Sequence, residues 1–409
     1  MKWLLITAYF PPEIGSASFL FYELGRELVR QGEMVTIITG FPTYNVNSKS
    51  LPDKYRQGCC LKESIDGMNV IRVRTLNLPR YVPVARGIEQ FITAFLFFWR
   101  GLFIYQEDAE GILVYSPPLP LGLTAYGLSR IKRAPFVFNL QDIFPQSAID
   151  LGVLKSRMLI RFFRGLERFI YKKANVVTCH SEGNRGHVIS CGGEAGKVRV
   201  VPNWVNTDEI FPGPRRNSFS REWGIEGKFV VSFAGVIGYS QDIDIVLDSV
   251  QYLKNCSDLF FVIVGDGVVK ERLMRKARES GINNVLFIPM QPKEIYPLIL
   301  HSSDVCIATL KREVKTPVVP SKILGIMAAG KPVVASMDLN GDAPKIIKEA
   351  ACGICVEPED AKMFSEAILR FYNDRGLAEK YGNNGRKYAE ENFSLRKCVE
   401  IYKDVVMSK

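Results

Sequence analysis

The 409-residue chain has only three histidines, and its nine cysteines are scattered along it. The histidines His180, His187 and His301 show no metal-ligand spacing, and they are too few for most mechanisms that need a histidine base. Positioning of substrates and stabilisation of a leaving group would have to carry most of any reaction. The chain also lacks a convincing membrane-spanning segment, because Arg100 interrupts the short apolar stretch 91–105.

The composition excludes a disordered or fibrous chain, since 47% of the residues are hydrophobic and 23% are charged. The length favours two or three domains. The formal net charge is +10, and residues 1–200 carry 25 Lys and Arg against 16 Asp and Glu. This imbalance predicts an anionic partner for the first half. A membrane surface is favoured over a nucleic acid, because no nucleic-acid recognition module is visible.

Only two sets of cysteines are close in sequence, Cys59 with Cys60 and Cys352 with Cys355. The second set is compatible with redox chemistry or half a metal site, but "ACGICVEPED" is more typical of a small-residue strand. Scattered thiols indicate a reduced, cytoplasmic protein. The opening "MKWLLITAYF" is interpreted as a first strand rather than a signal peptide, since no small-residue cleavage pattern follows.

Short apolar runs alternate with longer amphipathic segments along the chain, which predicts an α/β fold with parallel strands joined by helices. Strands are predicted at 3–7, 34–39, 70–74, 111–115, 136–140, 176–179 and 198–201, and again at 228–235, 259–267, 284–289, 304–310, 331–336 and 353–357. Helices are predicted at 18–31, 148–173, 243–254, 268–279, 292–301, 322–329 and 361–372.

The segment "PNWVNTDEIFPGPRRNSFSR" between the two sets of strands is rich in Pro, Asn and Gly and predicts a linker. We therefore expect two Rossmann-like, doubly wound parallel-sheet domains, 1–205 and 206–385, facing a cleft, and a C-terminal helix within 386–409. Ligands of such sheets bind beyond the carboxyl ends of the strands.

Two segments of the first domain are typical of a membrane interface. In 155–174, four arginines recur at helical spacing, namely Arg157, Arg161, Arg164 and Arg168. The other side carries Leu159, Phe162, Phe163, Leu166, Phe169 and Ile170. Such a helix can lie on an anionic membrane, although a surface helix with its apolar side in the core has the same pattern. The seven aromatic residues of 91–105 suit either a bilayer interface or a buried core helix.

Three glycine-bearing turns follow predicted strands and are candidate phosphate-binding sites. They contain Gly15 with Ser16, then Gly235, then Gly265 with Asp266 and Gly267. None has the spacing of a dinucleotide-binding or P-loop motif, and glycine in such a turn is often only structural. Together, however, they would line the carboxyl edges of both sheets, where helix N-termini offer N–H groups to phosphate.

A fourth candidate is the helix start in "VPSKILGIMAAGKPVVAS", residues 319–336. Pro320 and Ser321 would begin the helix, with Ser321 as its N-cap. Lys322 would then lie in the first turn, where a cation is unfavourable with respect to the helix dipole unless it faces an anion. Simple surface exposure of Lys322 is the alternative.

Two acidic motifs are further candidates. Asp142 follows a predicted strand at its carboxyl end, the usual place for a site residue in an α/β sheet, although it could instead cap the next turn. Asp242 and Asp244 form a D-x-D pair that could hold a metal, but a helix start is the favoured interpretation.

The order of these motifs resembles that of GT-B glycosyltransferases of family 4. The resemblance rests on "ITAYFPPEIGSAS", "LQDIFPQSAIDLG", "VRVVPNWVN", "SFAGVIGYSQDIDIVLDSV", "IVGDGVVKERL" and "PSKILGIMAAGKPVVAS", and it covers nearly the whole chain. The chain is most similar to the branch that builds exopolysaccharide and O-antigen repeat units, with its colanic acid fucosyltransferase-like and N-acetylfucosamine transferase-like proteins.

The resemblance implies retaining, metal-independent transfer from a nucleotide-diphospho-sugar to a lipid-linked glycan at the cytoplasmic face of the membrane, with no further cofactor. The first domain would bind the acceptor and the membrane, and the second the donor. The final helix would return to the first domain. The implied catalytic residues are Asp142 and Lys322, and the implied donor-binding residues are Gly15, Ser16, Gly235, Gln241, Gly265, Asp266, Gly267, Pro320, Ser321 and Gly325.

Several positions depart from the family pattern. Val236 and Gln241 replace two basic residues, and Gln141 replaces a histidine. The usual pair of glutamates falls on Pro317 and Gly325, so the carboxylate that grips the donor ribose is missing. Among side chains, this leaves Lys322 as the main cation for the diphosphate, with backbone amides at the helix starts.

Two alternatives stay open beside a glycosyltransferase. One is a nucleotide-sugar 2-epimerase on the same fold, which the scarcity of carboxylates and histidines disfavours. The other is a membrane-bound assembly subunit with a vestigial site, which the departures motivate.

Overall fold

The computed structural model describes residues 1–13, 15–43, 46, 51–76, 78, 83–105, 108–150, 152–314 and 319–407. The chain divides into two compact α/β units. Unit 1 comprises residues 1–203 together with 395–409, and unit 2 comprises residues 204–394. Each unit contains one doubly wound sheet, so the predicted fold class of two parallel-sheet α/β domains is confirmed.

Unit 1 is built on an eight-stranded sheet with the order β3-β4-β2-β1-β5-β6-β7-β8, parallel except for the edge pair β3–β4. Its strands are β1 (Lys2–Ile6), β2 (Met34–Gly40), β3 (Cys60–Ile65), β4 (Met68–Val73), β5 (Gly111–Ser116), β6 (Phe136–Leu140), β7 (Val176–Cys179) and β8 (Val198–Val200). Its first six helices are α1 (Ser16–Arg30), α2 (Pro83–Phe103), α3 (Leu121–Lys132), α4 (Gln146–Asp150), α5 (Arg157–Lys173) and α6 (Glu182–Ser190). The strand order reverses between β1 and β5, which makes this the switch point where a ligand crevice opens.

Unit 2 contains a six-stranded sheet with the order β11-β10-β9-β12-β13-β14, all parallel. Its strands are β9 (Phe229–Ala234), β10 (Leu259–Val264), β11 (Val285–Ile288), β12 (Val305–Thr309), β13 (Val333–Ser336) and β14 (Gly353–Val356). Its helices are α7 (Ser218–Glu222), α8 (Asp244–Ser249), α9 (Lys270–Glu279), α10 (Tyr296–His301), α11 (Ser321–Ala328), α12 (Asp342–Glu349), α13 (Ala361–Asn373) and α14 (Arg375–Asn392). The switch point lies between β9 and β12.

The central strands are buried on both faces, as expected for parallel sheets covered by helices on both sides. Every residue of β5, β6 and β12 is buried. This is why their sequences are near-continuous apolar runs rather than alternating patterns.

The last helix, α15 (Leu395–Met407), belongs to unit 1. The Tyr402 side chain reaches β6, where its hydroxyl accepts a hydrogen bond from Asn139 Nδ2 at 2.6 Å. Lys403 forms an ion pair with Glu33 at 2.8 Å. The predicted boundary at 386 falls inside α14, and the chain passes from unit 2 to unit 1 at 394/395.

Two local expectations are wrong. The edge strand β3 was not predicted, because "CLKESI" lacks a continuous apolar run. The single helix predicted at 148–173 is two helices, α4 and α5. The predicted linker does contain the boundary between the units, at 203/204, and its part in unit 2 packs on that unit, where His301 Nε2 lies 2.6 Å from the Phe211 carbonyl oxygen.

Candidate active site

At the carboxyl edge of the unit 2 sheet, the turns that follow β9 and β10 pack backbone against backbone. The Ile237 N–H donates to the Asp266 carbonyl at 3.0 Å. A Cβ on Gly265 would overlap the Gly235 carbonyl oxygen, and a Cβ on Gly267 would overlap that of Ile237. Only glycine permits this approach, so Gly265 and Gly267 shape the edge itself.

The ammonium group of Lys322 lies at the same edge, beside the turn that follows β9. Its Nζ donates to Gln241 Oε1 at 2.7 Å and lies 3.7 Å from the centroid of the Phe233 ring. A Cβ on Gly235 would be 3.5 Å from this nitrogen. The structure therefore brings together three residues predicted from the sequence: Lys322, Gln241 and Gly235.

Burial lowers the pKa of Lys322 to about 7. Within the described part of the chain, Lys322 forms no ion pair, and an amide oxygen and an aromatic face offset only part of the cost of desolvating an ammonium group. An anion bound beside Lys322 would supply the missing countercharge. The alternative of simple surface exposure fits only in part, since Lys322 is half-buried.

The helix start at this edge differs from the prediction by one residue. α11 begins at Ser321, and Pro320 rather than Ser321 occupies the cap position. No described side chain caps the first amides, and the first turn contains no acidic residue. The positive end of this helix dipole is therefore not neutralised within the helix itself.

Gly325 lies in α11 at the position where the resemblance leads to an expected glutamate. A Cβ there would lie 2.8 Å from the Tyr296 hydroxyl and 3.1 Å from Tyr296 Cε1. The other glutamate position, Pro317, is outside the described residues. Tyr296 occupies the space that a side chain at 325 would need, which gives a packing reason for the missing acid.

The D-x-D pair has a structural explanation. Asp244 is the first residue of α8, as the helix-start interpretation predicts. Its hydrogen bonds to Arg272, at 2.5 Å, and to Lys276, at 3.1 Å, lower its pKa to about 2. Burial raises the pKa of Asp242 to about 6, and the Asp244 and Glu359 carboxylates add to that effect.

Asp266 also has a structural partner set. It accepts a hydrogen bond from the Met290 N–H at 2.8 Å and pairs with Lys270 at 2.8 Å. Two further cations, Lys311 and Arg312, follow β12 after Leu310, at the switch point. Sequence reasoning missed both, although basic residues just beyond the carboxyl end of a strand were a usable signal.

Cys352 directly precedes β14 and Cys355 lies in it, as the strand interpretation predicts. Both cysteines are free thiols. Burial raises the pKa of each to about 12, which suppresses the thiolate that redox chemistry needs.

A small polar pocket opens at the carboxyl edge of the unit 1 sheet, next to the switch point between β1 and β5. It is lined by Ala8, Tyr9, Gly40, Phe41, Thr43, Thr75, Arg86, Glu89, Gln90, Thr93 and Pro118. Asp142 lies in the same region. Partial desolvation raises its pKa, and hydrogen bonds from Ser147 and the Ile143 N–H, followed by the charge of Arg86, act in the opposite direction. Sequence reasoning identified Asp142 but missed Arg86, Glu89 and Gln90, because they precede an apolar helix pattern.

A buried polar network supports Gln141 from beneath. Gln141 Nε2 donates to Asn139 Oδ1 at 3.0 Å, and Asn139 Nδ2 donates to Tyr402 at 2.6 Å and to Thr178 at 3.1 Å. Gln141, where the resemblance leads to an expected histidine, is thus positioned by β6, β7 and α15 together.

Gly15 and Ser16 lie where the sequence places them, in the loop after β1 and at the start of α1. The buried carboxylate of Glu13 holds this loop against the segment after β2. It accepts hydrogen bonds from the Phe10 N–H at 3.1 Å and from the Thr43 N–H at 2.8 Å. One acid thus organises two of the loops at this edge.

The outer surface of α2 and α5 exposes bulky apolar side chains. They are Ile88, Phe95, Trp99 and Phe103 on α2, and Met158, Leu159, Phe162 and Phe169 on α5, and we call these eight residues the apolar face. The two helices meet where the Phe91 and Phe162 rings lie 5.9 Å apart. The four predicted arginines of α5 are exposed beside it: Arg157, Arg161, Arg164 and Arg168.

The interpretations of 155–174 and 91–105 as helices with their apolar side in the core are therefore correct only in part. On α5, Phe163 and Ile170 are buried, whereas Phe162 is 53% exposed. On α2, Phe97 is buried, whereas Phe103 is 64% exposed. No helix in the described part of the chain is both long enough and apolar enough to cross a bilayer.

Two family models match the chain in succession. Residues 17–204 match the model described as a glycosyl transferase 4-like domain, and residues 215–388 match that of the glycosyl transferases group 1. The second match includes the switch-point edge of unit 2, and the first begins after β1 and its loop.

Named relatives and a solved structure agree with these matches. The chain is 29% identical to the probable glycosyltransferase WbjE of Pseudomonas aeruginosa, over 70% of this chain and 71% of the relative. It is 25% identical to the putative colanic acid biosynthesis glycosyl transferase WcaI of Escherichia coli K12, over 67% and 68%. It superposes on Anabaena HepE in complex with UDP and glucose with a TM-score of 0.72, at 18% identity and full coverage of both chains.

Proposed function

Because the chain belongs to the group 1 glycosyltransferases and has the GT-B fold, we propose that it transfers a sugar from a nucleotide-diphospho-sugar to a lipid-linked glycan. The product would be a repeat unit of a cell-surface polysaccharide, in line with the colanic acid assignment of WcaI. Transfer would proceed with retention of the anomeric configuration and without a metal ion, as the resemblance to family 4 implies.

The observation that carries this proposal is the half-buried ammonium group of Lys322 at the switch-point edge of unit 2. It contacts Gln241 and the Phe233 ring but has no carboxylate partner among the described residues. The uncapped first turn of α11 adds backbone N–H groups beside it. A diphosphate would be bound by both, and negative charge that develops on it as the glycosidic bond breaks would be stabilised.

Unit 1 supports an acceptor that has both a sugar and a lipid part. α2 contributes Arg86, Glu89 and Gln90 to the polar pocket and Phe95, Trp99 and Phe103 to the apolar face. A glycan hydrogen-bonds to polar side chains, whereas a lipid carrier and its bilayer contact apolar and aromatic ones. One helix therefore presents both kinds of surface.

The exposed arginines of α5 favour an anionic membrane as the place of reaction. Each cationic side chain near an anionic lipid surface contributes about 1 kcal/mol to binding. Four of them beside the apolar face combine the two interactions that hold a peripheral protein on a membrane. We propose the inner face of the cell membrane, where nucleotide sugars are available.

The direct test is a transfer assay with the purified full-length protein. Membranes from the cells that naturally produce the protein are incubated with labelled UDP-, GDP- and dTDP-sugars, with EDTA present. We expect label from one donor to enter the organic-extractable fraction. Lys322→Met should abolish it, and Lys362→Met, an exposed lysine on α13, should not.

Other outcomes would favour the alternatives. Release of an epimerised free sugar without acceptor would favour the 2-epimerase. Absence of both donor binding and transfer would favour a vestigial subunit. A dependence on added metal, or an inverted anomeric product by NMR, would overturn the mechanism while leaving the fold assignment intact.

A further inference from the structure

We propose that Glu167, His187 and Cys191 form a binding site in unit 1 for a divalent transition metal such as Zn²⁺. The site is separate from the two sheet edges described above and does not depend on the proposed transfer reaction. It would join α5 to the C-terminal end of α6.

The distances among the three side chains fit a metal. His187 Nε2 lies 3.4 Å from Glu167 Oε1 and 3.4 Å from Cys191 Sγ, and all three ligand atoms lie within 4.8 Å of one another. In tetrahedral zinc sites, bonds of about 2.0 Å to N and O and about 2.3 Å to S place ligand atoms about 3.3–3.6 Å apart. Two of the three separations therefore already match, and a small side-chain rotation would close the third.

The local sequence explains why these side chains converge. His187 lies in the last turn of α6, and Cys191 is the residue that caps this helix. Residues at i and i+4 share one helix face, so both point to the same neighbour. That neighbour is Glu167, which lies on the buried side of α5. The spacing of His187 and Cys191 in "HVISC" was a usable signal, but the sequence analysis considered only the spacing of histidines with one another.

The surroundings are those of a ligand set rather than of a surface acid cluster. The Glu167 side chain is only 2% exposed, whereas that of His187 is 19% exposed, so an ion could enter from the His187 side. The Tyr171 hydroxyl donates to Glu167 Oε1 at 2.9 Å and orients the carboxylate. Such a second hydrogen bond is typical of metal-binding carboxylates.

A divalent ion bound here would contact the imidazole, the carboxylate and the sulfur together, and the His187 and Cys191 ligands would lose their protons to it. Arg168 donates to the Cys191 carbonyl at 3.4 Å and holds the end of α6 in place.

The test uses the full-length protein after removal of metals with EDTA. We expect it to bind one Co²⁺ per chain, with the near-ultraviolet absorption of a thiolate-to-cobalt bond, and Zn²⁺ to displace the cobalt. Cys191→Ser should remove this absorption and weaken Zn²⁺ binding at least about tenfold. Cys59→Ser, which changes an exposed cysteine elsewhere in unit 1, should change neither.

A second variant and a second measurement guard against loss of folding. His187→Gln should also weaken Zn²⁺ binding, with unchanged far-ultraviolet circular dichroism. Zn²⁺ should raise the melting temperature of the wild-type protein but not that of Cys191→Ser. The proposal is overturned if the wild-type protein binds no stoichiometric Co²⁺, or if the thiolate absorption survives Cys191→Ser and disappears in Cys59→Ser.

Discussion

Lys322 Nζ donates a 2.7 Å hydrogen bond to the side-chain oxygen of Gln241. The resemblance to family 4 leads to an expected basic residue at 241, and here the glutamine instead supplies an acceptor that holds Lys322. The edge therefore has one directed ammonium group at this point. Because burial lowers the pKa of this group to about 7, its charge depends on pH near neutrality.

Binding of a nucleoside diphosphate should therefore weaken as the pH rises from 7 to 9. A bound diphosphate favours the protonated Lys322, and above a pKa of about 7 the free protein must take up a proton to present it. The affinity for UDP or GDP, measured by calorimetry, should fall by up to about tenfold per pH unit in this range. The terminal phosphate of the nucleotide has a second pKa of about 6, so it is mostly ionised in this range and contributes little slope.

Two variants separate this effect from general changes in charge. Lys322→Arg should bind with little dependence on pH, because arginine stays protonated. Lys362→Met should keep the wild-type slope. A wild-type affinity that is flat between pH 7 and 9 would contradict the role given to Lys322.

Gly325→Ala should destabilise the protein, although alanine normally stabilises a helix relative to glycine. The added Cβ would meet the Tyr296 ring and hydroxyl, and such overpacking costs about 1–3 kcal/mol of unfolding free energy. In α5, nothing lies within 4 Å of a Cβ at Gly165, so Gly165→Ala should be neutral or stabilising by up to about 1 kcal/mol. Urea denaturation measures both.

A double-mutant cycle tests the cause. In a Tyr296→Ala background, Gly325→Ala should lose its penalty, because the clashing ring is gone. Equal penalties in both backgrounds would show that Tyr296 is not what excludes a side chain at 325. Gly325→Glu, which introduces a carboxylate into α11, should be accommodated without loss of stability only in the Tyr296→Ala background.

Membrane binding should depend on both parts of the outer surface of unit 1. The double variant Trp99→Ala/Phe103→Ala should weaken sedimentation with anionic and neutral vesicles alike, because it removes apolar area. Arg157→Glu/Arg161→Glu should weaken only the binding to anionic vesicles, by more than about tenfold, and this loss should shrink at high salt. Arg278→Glu, on the exposed side of α9, serves as the charge control.

The elements that could be predicted are those whose signal is local. β6 and β7 were placed at their observed bounds because they are short apolar runs with a fixed start and end. β3 was missed because an edge strand needs little apolar sequence, and the three consecutive polar residues of "CLKESI" are typical of a loop. The break between α4 and α5 was missed because the apolar periodicity continues across it.

In the candidate site, too, residues with a local sequence signal could be predicted and contacts between distant residues could not. Lys322 and Asp142 could be proposed as site residues from the sequence because one lies in the first turn of a helix and the other just beyond the end of a strand. The contact of Tyr296 with Gly325, the Arg86 pocket and the triad at His187 could not, because each joins residues that are distant in sequence. Burial of Glu167 on α5 is likewise set by tertiary packing rather than by helical spacing.

Tyr402→Phe should perturb the edge of unit 1 that carries Gln141 and Asp142, although Tyr402 lies in the last helix, α15. The variant removes a hydroxyl that accepts from the buried Asn139, and losing one buried hydrogen bond costs about 0.5–1.5 kcal/mol. Asn139 in turn accepts a hydrogen bond from Gln141, the neighbour of Asp142. A reorientation of the Asn139 side chain should therefore shift Gln141. We expect a raised KM for the acceptor with donor binding unchanged, measured by transfer kinetics.

The matched control is Tyr372→Phe, which removes a hydroxyl bonded to Asp258 in unit 2. If both variants lower stability without changing the acceptor KM, the network supports folding and does not position Gln141.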